Sequence, residues 1–148
     1  MKISIPDTML AIGVSESDEL VVNTVPVPRP GRGEVLVRIA ASPVNPSDLA
    51  RIRQLNSRDK VSFIGGIEGS GMVVGHGKGV VPALLMNKRV SCASAHNFSG
   101  CWAEYMVTSA MSCVPLPKNV SDEQGSMMLV NPMTAAAFFV IIRKEKHT

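Results

Sequence analysis

Short apolar runs separated by turn residues fill most of the first 117 residues. Val35, Val37 and Ile39 fall on one face of the run 34–41, which is the period of two expected of a strand. Further strands are predicted at 20–25, 71–74, 88–92 and 102–108. Because short strands at this density, punctuated by Gly, Pro, Asn and Asp, are typical of antiparallel barrels, the pattern predicts a closed or partly closed β-barrel.

The pattern changes at Ser121, where a helical signal begins. The Ser121 hydroxyl can cap a helix, and Gln124 can reach back to the Ser121 amide as a capping box. This arrangement predicts a short helix ending at about Leu129. The chain is therefore expected to divide into a β-rich domain over 1–120 and helices over 121–148.

A second helix start is indicated by Asn131 and Pro132, a cap residue followed by proline at the first helical position. The predicted helix continues through Arg143, and its segment 135–142 is apolar without interruption. Helices of this kind are normally buried on every side. We therefore expect another part of the protein to cover it, and predict self-association through residues 132–142 when nothing else does.

Composition is that of an ordinary globular domain, with 148 residues, 45% of them hydrophobic and 18% charged. No apolar window reaches the length of a membrane span, so the chain is predicted to be soluble, with no membrane partner. The net charge of +3 comes from scattered cations, and aromatic residues make up only 4%. Nucleic acid is therefore not an expected partner. The N-terminus lacks an export signal, which predicts an intracellular, cytoplasmic or mitochondrial protein.

The cysteine and histidine positions do not predict a metal site. Cys92, Cys101 and Cys113 match neither a metal-binding pair nor a small disulfide framework, so free thiols in a reducing compartment are expected. None of the histidines has a partner at catalytic or metal-binding spacing, and all are interpreted as ordinary surface residues: His76, His96 and His147.

Seven segments of the chain carry recognisable motifs in a fixed order: 25–38, 40–48, 66–71, 88–90, 100–105, 114–117 and 130–135. Together they resemble the zinc-free quinone oxidoreductase and enoyl reductase branches of the medium-chain dehydrogenase/reductase family. One segment alone is weak evidence, but the shared order and spacing are specific. Residues 130–135 look most like the mitochondrial enoyl-thioester reductases.

The resemblance implies a mainly β, GroES-like, partly open β-barrel over 1–120, which forms the substrate-side domain. The short helices of 121–148 would lead into a dinucleotide-binding Rossmann domain, and that domain is absent from this sequence. A co-chaperonin ring subunit would share the barrel but does not explain residues 131–134.

Zinc-dependent relatives carry metal ligands at the positions of Asn45 and Ile67. A neutral amide is a poor zinc ligand and isoleucine has no donor atom, so the chain is expected to be zinc-free, with no metal-binding residues. Glu68 is expected to hold neighbouring backbone segments together, without a catalytic role.

The resemblance implies that Asn45, Asp48 and Thr134 bind the cofactor. Asn45 would lie beside the nicotinamide, although an Asn before Pro can simply form a turn. Thr134 would lie near the same ring or else be a small hydroxyl packed in a helix. Asp48 would bond nearby backbone or substrate-side groups, or cap a short helix starting at Leu49.

The function implied is NADPH-dependent hydride transfer to a conjugated carbonyl compound, either quinone-like or an enoyl thioester. The alternative is a truncated, non-catalytic GroES-like interaction module. Relatives place a proton-donating tyrosine in the segment equivalent to 49–57, but the only tyrosine here is Tyr105, in a predicted strand. Lys88 likewise replaces a usual aspartate. No catalytic residue is assigned, and the chain alone is expected to be inactive.

Tight NADPH binding by the chain alone is not expected, because no glycine-rich strand-to-helix turn is predicted. Gly75, Gly77 and Gly79 resemble a phosphate loop only superficially, since no helix is predicted to start after them.

Overall fold

Seven strands and five α-helices make up the part of the chain that the structure, a computed structural model, describes: residues 4–60, 62–95 and 99–145. His96 and His147 lie outside these ranges. The strands are β1 Thr8–Val14, β2 Leu20–Pro26, β3 Glu34–Ala41, β4 Glu68–His76, β5 Arg89–Ala93, β6 Tyr105–Ser109 and β7 Cys113–Pro115. The helices are α1 Pro46–Arg53, α2 Ser57–Lys60, α3 Val80–Leu85, α4 Asp122–Ser126 and α5 Val130–Glu145, with a 3-10 turn at Ala110–Ser112.

The strands form an antiparallel hairpin, β1–β2, and a five-stranded antiparallel sheet in the order β6-β3-β4-β5-β7. The Ile12 amide donates to the Trp102 carbonyl (2.8 Å), which joins the hairpin to the chain leading into β6. Among the described residues no pairing links β2 to β7, so the sheet stays open. The mainly β prediction is confirmed in its partly open form, and a closed barrel is excluded for this part of the chain.

The predicted period of two in β3 is confirmed. Val35 and Val37 are fully buried and Ile39 packs against the same apolar cluster. The predicted runs at 20–25, 71–74, 88–92 and 102–108 correspond to β2, β4, β5 and β6, and β4 extends further in both directions.

The prediction that no helix follows Gly79 is wrong, because α3 begins at Val80 directly after it. Pro82 is the third residue of this helix, where its missing amide hydrogen has no helical partner to lose. α3 has six residues and ends at Leu85, which is buried against the sheet.

Two apolar clusters form the core. One includes Val35, Val73 and Val90 together with all three cysteines, and the other includes Met9, Leu36 and Tyr105. Tyr105 is the first residue of β6, so it lies in a strand as predicted, and it is 8% exposed.

The capping box at the start of α4 is confirmed. The Ser121 amide donates to Gln124 Oε1 (3.1 Å), and the Gln124 amide donates to Ser121 Oγ (3.2 Å). The helix ends at Ser126, earlier than predicted. Arg89 anchors it to β5 through a salt bridge to Asp122 (3.0 Å).

The last helix, α5, begins at Val130, slightly before the predicted start, and none of its residues is buried. Its five consecutive large apolar side chains are between 48% and 61% exposed: Phe138, Phe139, Val140, Ile141 and Ile142. The composition of this helix predicted that it would be buried, but no described part of the chain covers it. No helix of the described residues combines the length and the apolar character needed to cross a membrane.

Candidate functional site

Asn45 is the residue that precedes α1, and Pro46 is the first residue of the helix. Proline at this position has a suitable φ angle and sacrifices no helical hydrogen bond. The Asn45 side chain is buried, with 7% of the residue exposed, and its Nδ2 donates to Glu68 Oε1 at 3.0 Å. The amide is therefore held in one orientation by a carboxylate.

Glu68 is fully buried at the start of β4. Its second oxygen, Oε2, accepts hydrogen bonds from the backbone amides of Leu129 (3.1 Å) and Val130 (2.9 Å), where α5 begins. Amides at a helix start lack helical partners and favour a negative group. Glu68 therefore joins the residue before α1 to the start of α5.

Asp48 supports the same arrangement from inside α1. Its Oδ2 accepts a hydrogen bond from the backbone amide of Asn45 (2.7 Å), and its Oδ1 accepts one from the backbone amide of Ile67 (2.8 Å). The residue is 2% exposed and both of its oxygens bind backbone. α1 starts at Pro46 and not at Leu49, so Asp48 closes the first turn of the helix instead of preceding it.

Thr134 lies on α5, one turn after the amide that Glu68 binds. Its Oγ1 donates to the Val130 carbonyl at 2.8 Å, and the residue is exposed. The bond to the carbonyl four residues earlier is also compatible with the alternative of a small hydroxyl packed in a helix. The structure thus links all three predicted cofactor-binding residues through Glu68: Asn45 by a direct bond, Asp48 through the Asn45 amide, and Thr134 through Val130.

The two residues at the positions of metal ligands in zinc-dependent relatives form hydrogen bonds within this chain. Ile67 contributes its backbone amide to Asp48, and Asn45 bonds Glu68. Within the described ranges, no group of three or more His, Cys, Asp or Glu side chains could hold a metal ion. His76 is exposed, and its Nδ1 lies 2.9 Å from the Gly77 carbonyl.

The three thiols are free, as the sequence predicted, and the structure shows that all three are buried. A hydrogen bond with Cys101, together with burial, raises the pKa of Cys92 well above its usual value. Burial raises the pKa of Cys113 to about 12, with a smaller contribution from Cys92. Because the thiolate is the nucleophilic form, Cys92 and Cys113 are unsuited to nucleophilic catalysis near neutral pH.

Glu68 is the central residue of the site, and the sequence predicted only part of its role. Its expected role of holding backbone together agrees with its bonds to Leu129 and Val130. Its contact with the Asn45 side chain was not anticipated. The only local signal was an acid among glycines in residues 66–71, and this pattern does not reveal partners more than twenty residues away.

Comparison with known proteins places these elements in a family. The alcohol dehydrogenase GroES-like domain matches residues 31–118. The chain is 36% identical, over 118 residues, to the mitochondrial enoyl-[acyl-carrier-protein] reductase of Caenorhabditis elegans. That match covers 78% of this chain and 33% of the relative.

Solved structures show the same likeness. A protein of Mesorhizobium loti assigned as an NADPH:quinone reductase superimposes with a TM-score of 0.84 at 32% identity, over 97% of this chain and 46% of that protein. A mycobacterial protein solved in complex with NADPH superimposes with a TM-score of 0.69 at 27% identity, over 88% of this chain and 39% of its own. The chain thus spans about a third of this curated relative and less than half of either solved structure. It belongs to the alcohol dehydrogenase GroES-like domain family of the medium-chain dehydrogenases/reductases.

Proposed function

We propose that this chain supplies the substrate-side half of an NADPH-dependent oxidoreductase site that transfers hydride to a conjugated carbonyl compound. The substrate class is quinone-like or enoyl thioester, the two chemistries in the names of the relatives described above. The observation that carries the proposal is the Glu68 carboxylate, which joins Asn45 to the helix bearing Thr134.

This geometry suits the nicotinamide end of the cofactor. The Asn45 side chain bonds Glu68 through Nδ2, which fixes the direction of its remaining polar groups. The Thr134 hydroxyl donates to Val130, and its lone pairs can still accept a hydrogen bond. We assign Asn45 and Thr134 to the cofactor directly. Asp48 acts through Asn45, since backbone amides occupy both of its oxygens.

NADPH supplies the hydride when bound, and the protein supplies orientation and electrostatics. Residues 75–79 do not form a cradle for its pyrophosphate, because Gly77 lies directly against the backbone of Gly31 and α3 is short. The chain alone is therefore expected to bind NADPH weakly. The proton that accompanies hydride transfer would come from solvent, substrate or another group, because α1 carries no tyrosine.

A chimera tests the proposal. Residues 1–148 would replace the matching segment of the Caenorhabditis elegans enoyl reductase, and NADPH oxidation would be followed with an enoyl thioester and with a quinone. The proposal expects turnover with at least one of them and none with the saturated thioester. A folded chimera that binds NADPH but oxidises it with neither substrate would contradict it.

A second candidate function is favoured by one observation, the exposed apolar surface of α5. Here the chain would be a non-catalytic GroES-like module that associates with itself through residues 132–142. Burial of a large apolar side chain stabilises an interface by about 1.5 to 3 kcal/mol. Several such side chains on one helix would hold two copies together.

The cellular setting follows from the same reasoning. We propose an intracellular protein, cytoplasmic or mitochondrial, which acts on a small molecule and not on nucleic acid or a membrane. The mitochondrial relative agrees with one of these compartments.

A further inference from the structure

An apolar groove lies beside α1. It is lined by none of Asn45, Asp48, Glu68 and Thr134, although the Ser42 hydroxyl in its lining donates to the Glu68 carbonyl at 2.7 Å. It is a cavity of about 360 Å³, within the range of small-molecule sites. Val44 is 68% exposed and Leu20 54%, high values for apolar residues that line one groove. The groove is lined by Ile12, Leu20, Ser42, Val44, Leu49 and Trp102.

The floor of the groove is held rigidly by Trp102. Its indole Nε1 donates to the Pro43 carbonyl at 3.1 Å, and its ring packs directly on Gly65 and Gly66. The Trp102 carbonyl accepts from the Ile12 amide of β1. The apolar surface is therefore built on the β1–β2 hairpin and on the segments that lead into α1 and β4, and does not belong to a loose tail.

The groove continues along α1 towards a cation. A second cavity of about 440 Å³ shares Leu20 and Leu49 with the first and adds Asp18, Ile52 and Arg53. Leu49, Ile52 and Arg53 are spaced three and four residues apart, so they lie on one face of the helix.

Two charged residues, Asp18 and Arg53, line the second cavity, and within the described ranges only Asp18 is paired. Asp18 pairs with Lys60 at 2.6 Å. Arg53 is exposed and has no ion-pair or hydrogen-bond partner among the residues that the structure describes. The groove thus combines an apolar wall with an unpaired guanidinium, which is complementary to a molecule that has an aliphatic chain and an anionic head.

We propose that the groove binds a free aliphatic carboxylate of medium chain length. The chain lies along Trp102, Val44 and Leu49, and the carboxylate lies at Arg53. Guanidinium and carboxylate are matched in shape as well as in charge. The proposal does not require NADPH, because Asn45 and Thr134, the residues assigned to the cofactor, do not line the groove.

Trp102 is the only tryptophan of the chain, so its fluorescence reports on the groove directly. The full chain would be titrated with hexanoate, octanoate and decanoate below their micelle-forming concentrations. We expect a saturable blue shift and an affinity that rises up to about fourfold with each buried methylene. Decyltrimethylammonium, with the same chain length as decanoate but a cationic head, should bind more weakly.

Substitutions separate the two parts of the site. Val44→Asp should abolish decanoate binding, whereas Val80→Asp, at a position 77% exposed on α3, should leave it unchanged. Arg53→Glu should weaken decanoate binding about fivefold or more and favour the cationic amphiphile. Arg32→Glu, at an exposed position outside the groove, should alter neither.

Four results would overturn the proposal. These are no shift of Trp102 emission with any carboxylate, equal affinity for the cationic and anionic amphiphiles, equal effects of Val44→Asp and Val80→Asp, and an oligomer by light scattering that Val44→Asp, but not Val80→Asp, converts to a monomer.

Discussion

Glu68 accepts a hydrogen bond from the side chain of Asn45, and the bond joins the start of β4 to the residue before α1. The same carboxylate accepts two backbone amides at the start of α5. Three segments distant in sequence thus depend on one buried acid. A replacement without a side-chain acceptor would leave these donors unpaired, and this cost can be measured.

We predict that Glu68→Ala lowers the free energy of unfolding by about 2 to 4 kcal/mol, because a buried donor without a partner costs about 1 to 3 kcal/mol. Urea unfolding measures the loss. Glu16→Ala, at an exposed acid, should change stability by less than about 0.5 kcal/mol. In Glu68→Gln, hydrogen exchange at Leu129 and Val130 should accelerate. Unchanged exchange there would show that the carboxylate does not hold α5.

The packing of Trp102 against Gly66 can be tested with Gly33 as the control position. Both have positive φ, at +91° and +82°, but only Gly66 is crowded, since an added Cβ would lie 2.6 Å from the indole Cδ1 and 2.8 Å from the Trp102 amide. Gly33→Ala should therefore cost about 1 to 2 kcal/mol from backbone strain alone. Gly66→Ala should cost at least about 2 kcal/mol more, as measured by thermal unfolding. Equal losses would mean that Trp102 moves aside freely.

The buried thiols should make the protein less stable in alkali. Burial raises the pKa of Cys113 from 9.0 to about 12, so between these values the unfolded chain ionises while the folded chain does not. Stability from this group is complete below pH 9 and declines above it by up to about 1.4 kcal/mol per pH unit. Between pH 8 and 10 the wild type should lose about 1 to 1.5 kcal/mol more than Cys113→Ala. Parallel pH profiles would contradict this.

Self-association through α5 is tested by Phe138→Asp combined with Ile142→Asp, at exposed positions four residues apart on one helical face. We predict that the wild type is larger than one chain by light scattering and that the double variant is monomeric. Val80→Asp with Leu84→Asp places the same charges on exposed apolar positions of α3 and should leave the mass unchanged. A monomeric wild type would remove the basis for an interaction module.

The sequence predicted β3 from the period of two of its apolar residues. Val35 and Val37 face one core cluster, and Leu36 between them is buried in the other, so this part of the strand is covered on both faces. β1 was missed, since its sequence from Thr8 to Val14 is apolar at nearly every position and shows no period. Leu10 and Ile12 remain partly exposed on the side of the strand away from Met9.

Features that depend on distant contacts could not be predicted. The burial of Glu68 depends on amides 61 and 62 residues further along the chain. α3 was missed because its first residues do not favour a helix: Val80 and Val81 are β-branched, and glycines precede them. Pro82 was also taken as unfavourable, although a proline in the first turn is a helix-start signal. Asn45 and Thr134 came from family resemblance, and the structure adds the carboxylate that links their elements.

The most direct test of the substrate-side role is the turnover number of the chimera after Asn45→Ala. We predict that the turnover number falls at least about tenfold, because the oriented amide is lost, whereas Asn119→Ala, at an exposed position, leaves it unchanged. Both variants should still bind NADPH. A chimera in which Asn45→Ala turns over as fast as Asn119→Ala would show that Asn45 does not orient the reacting groups.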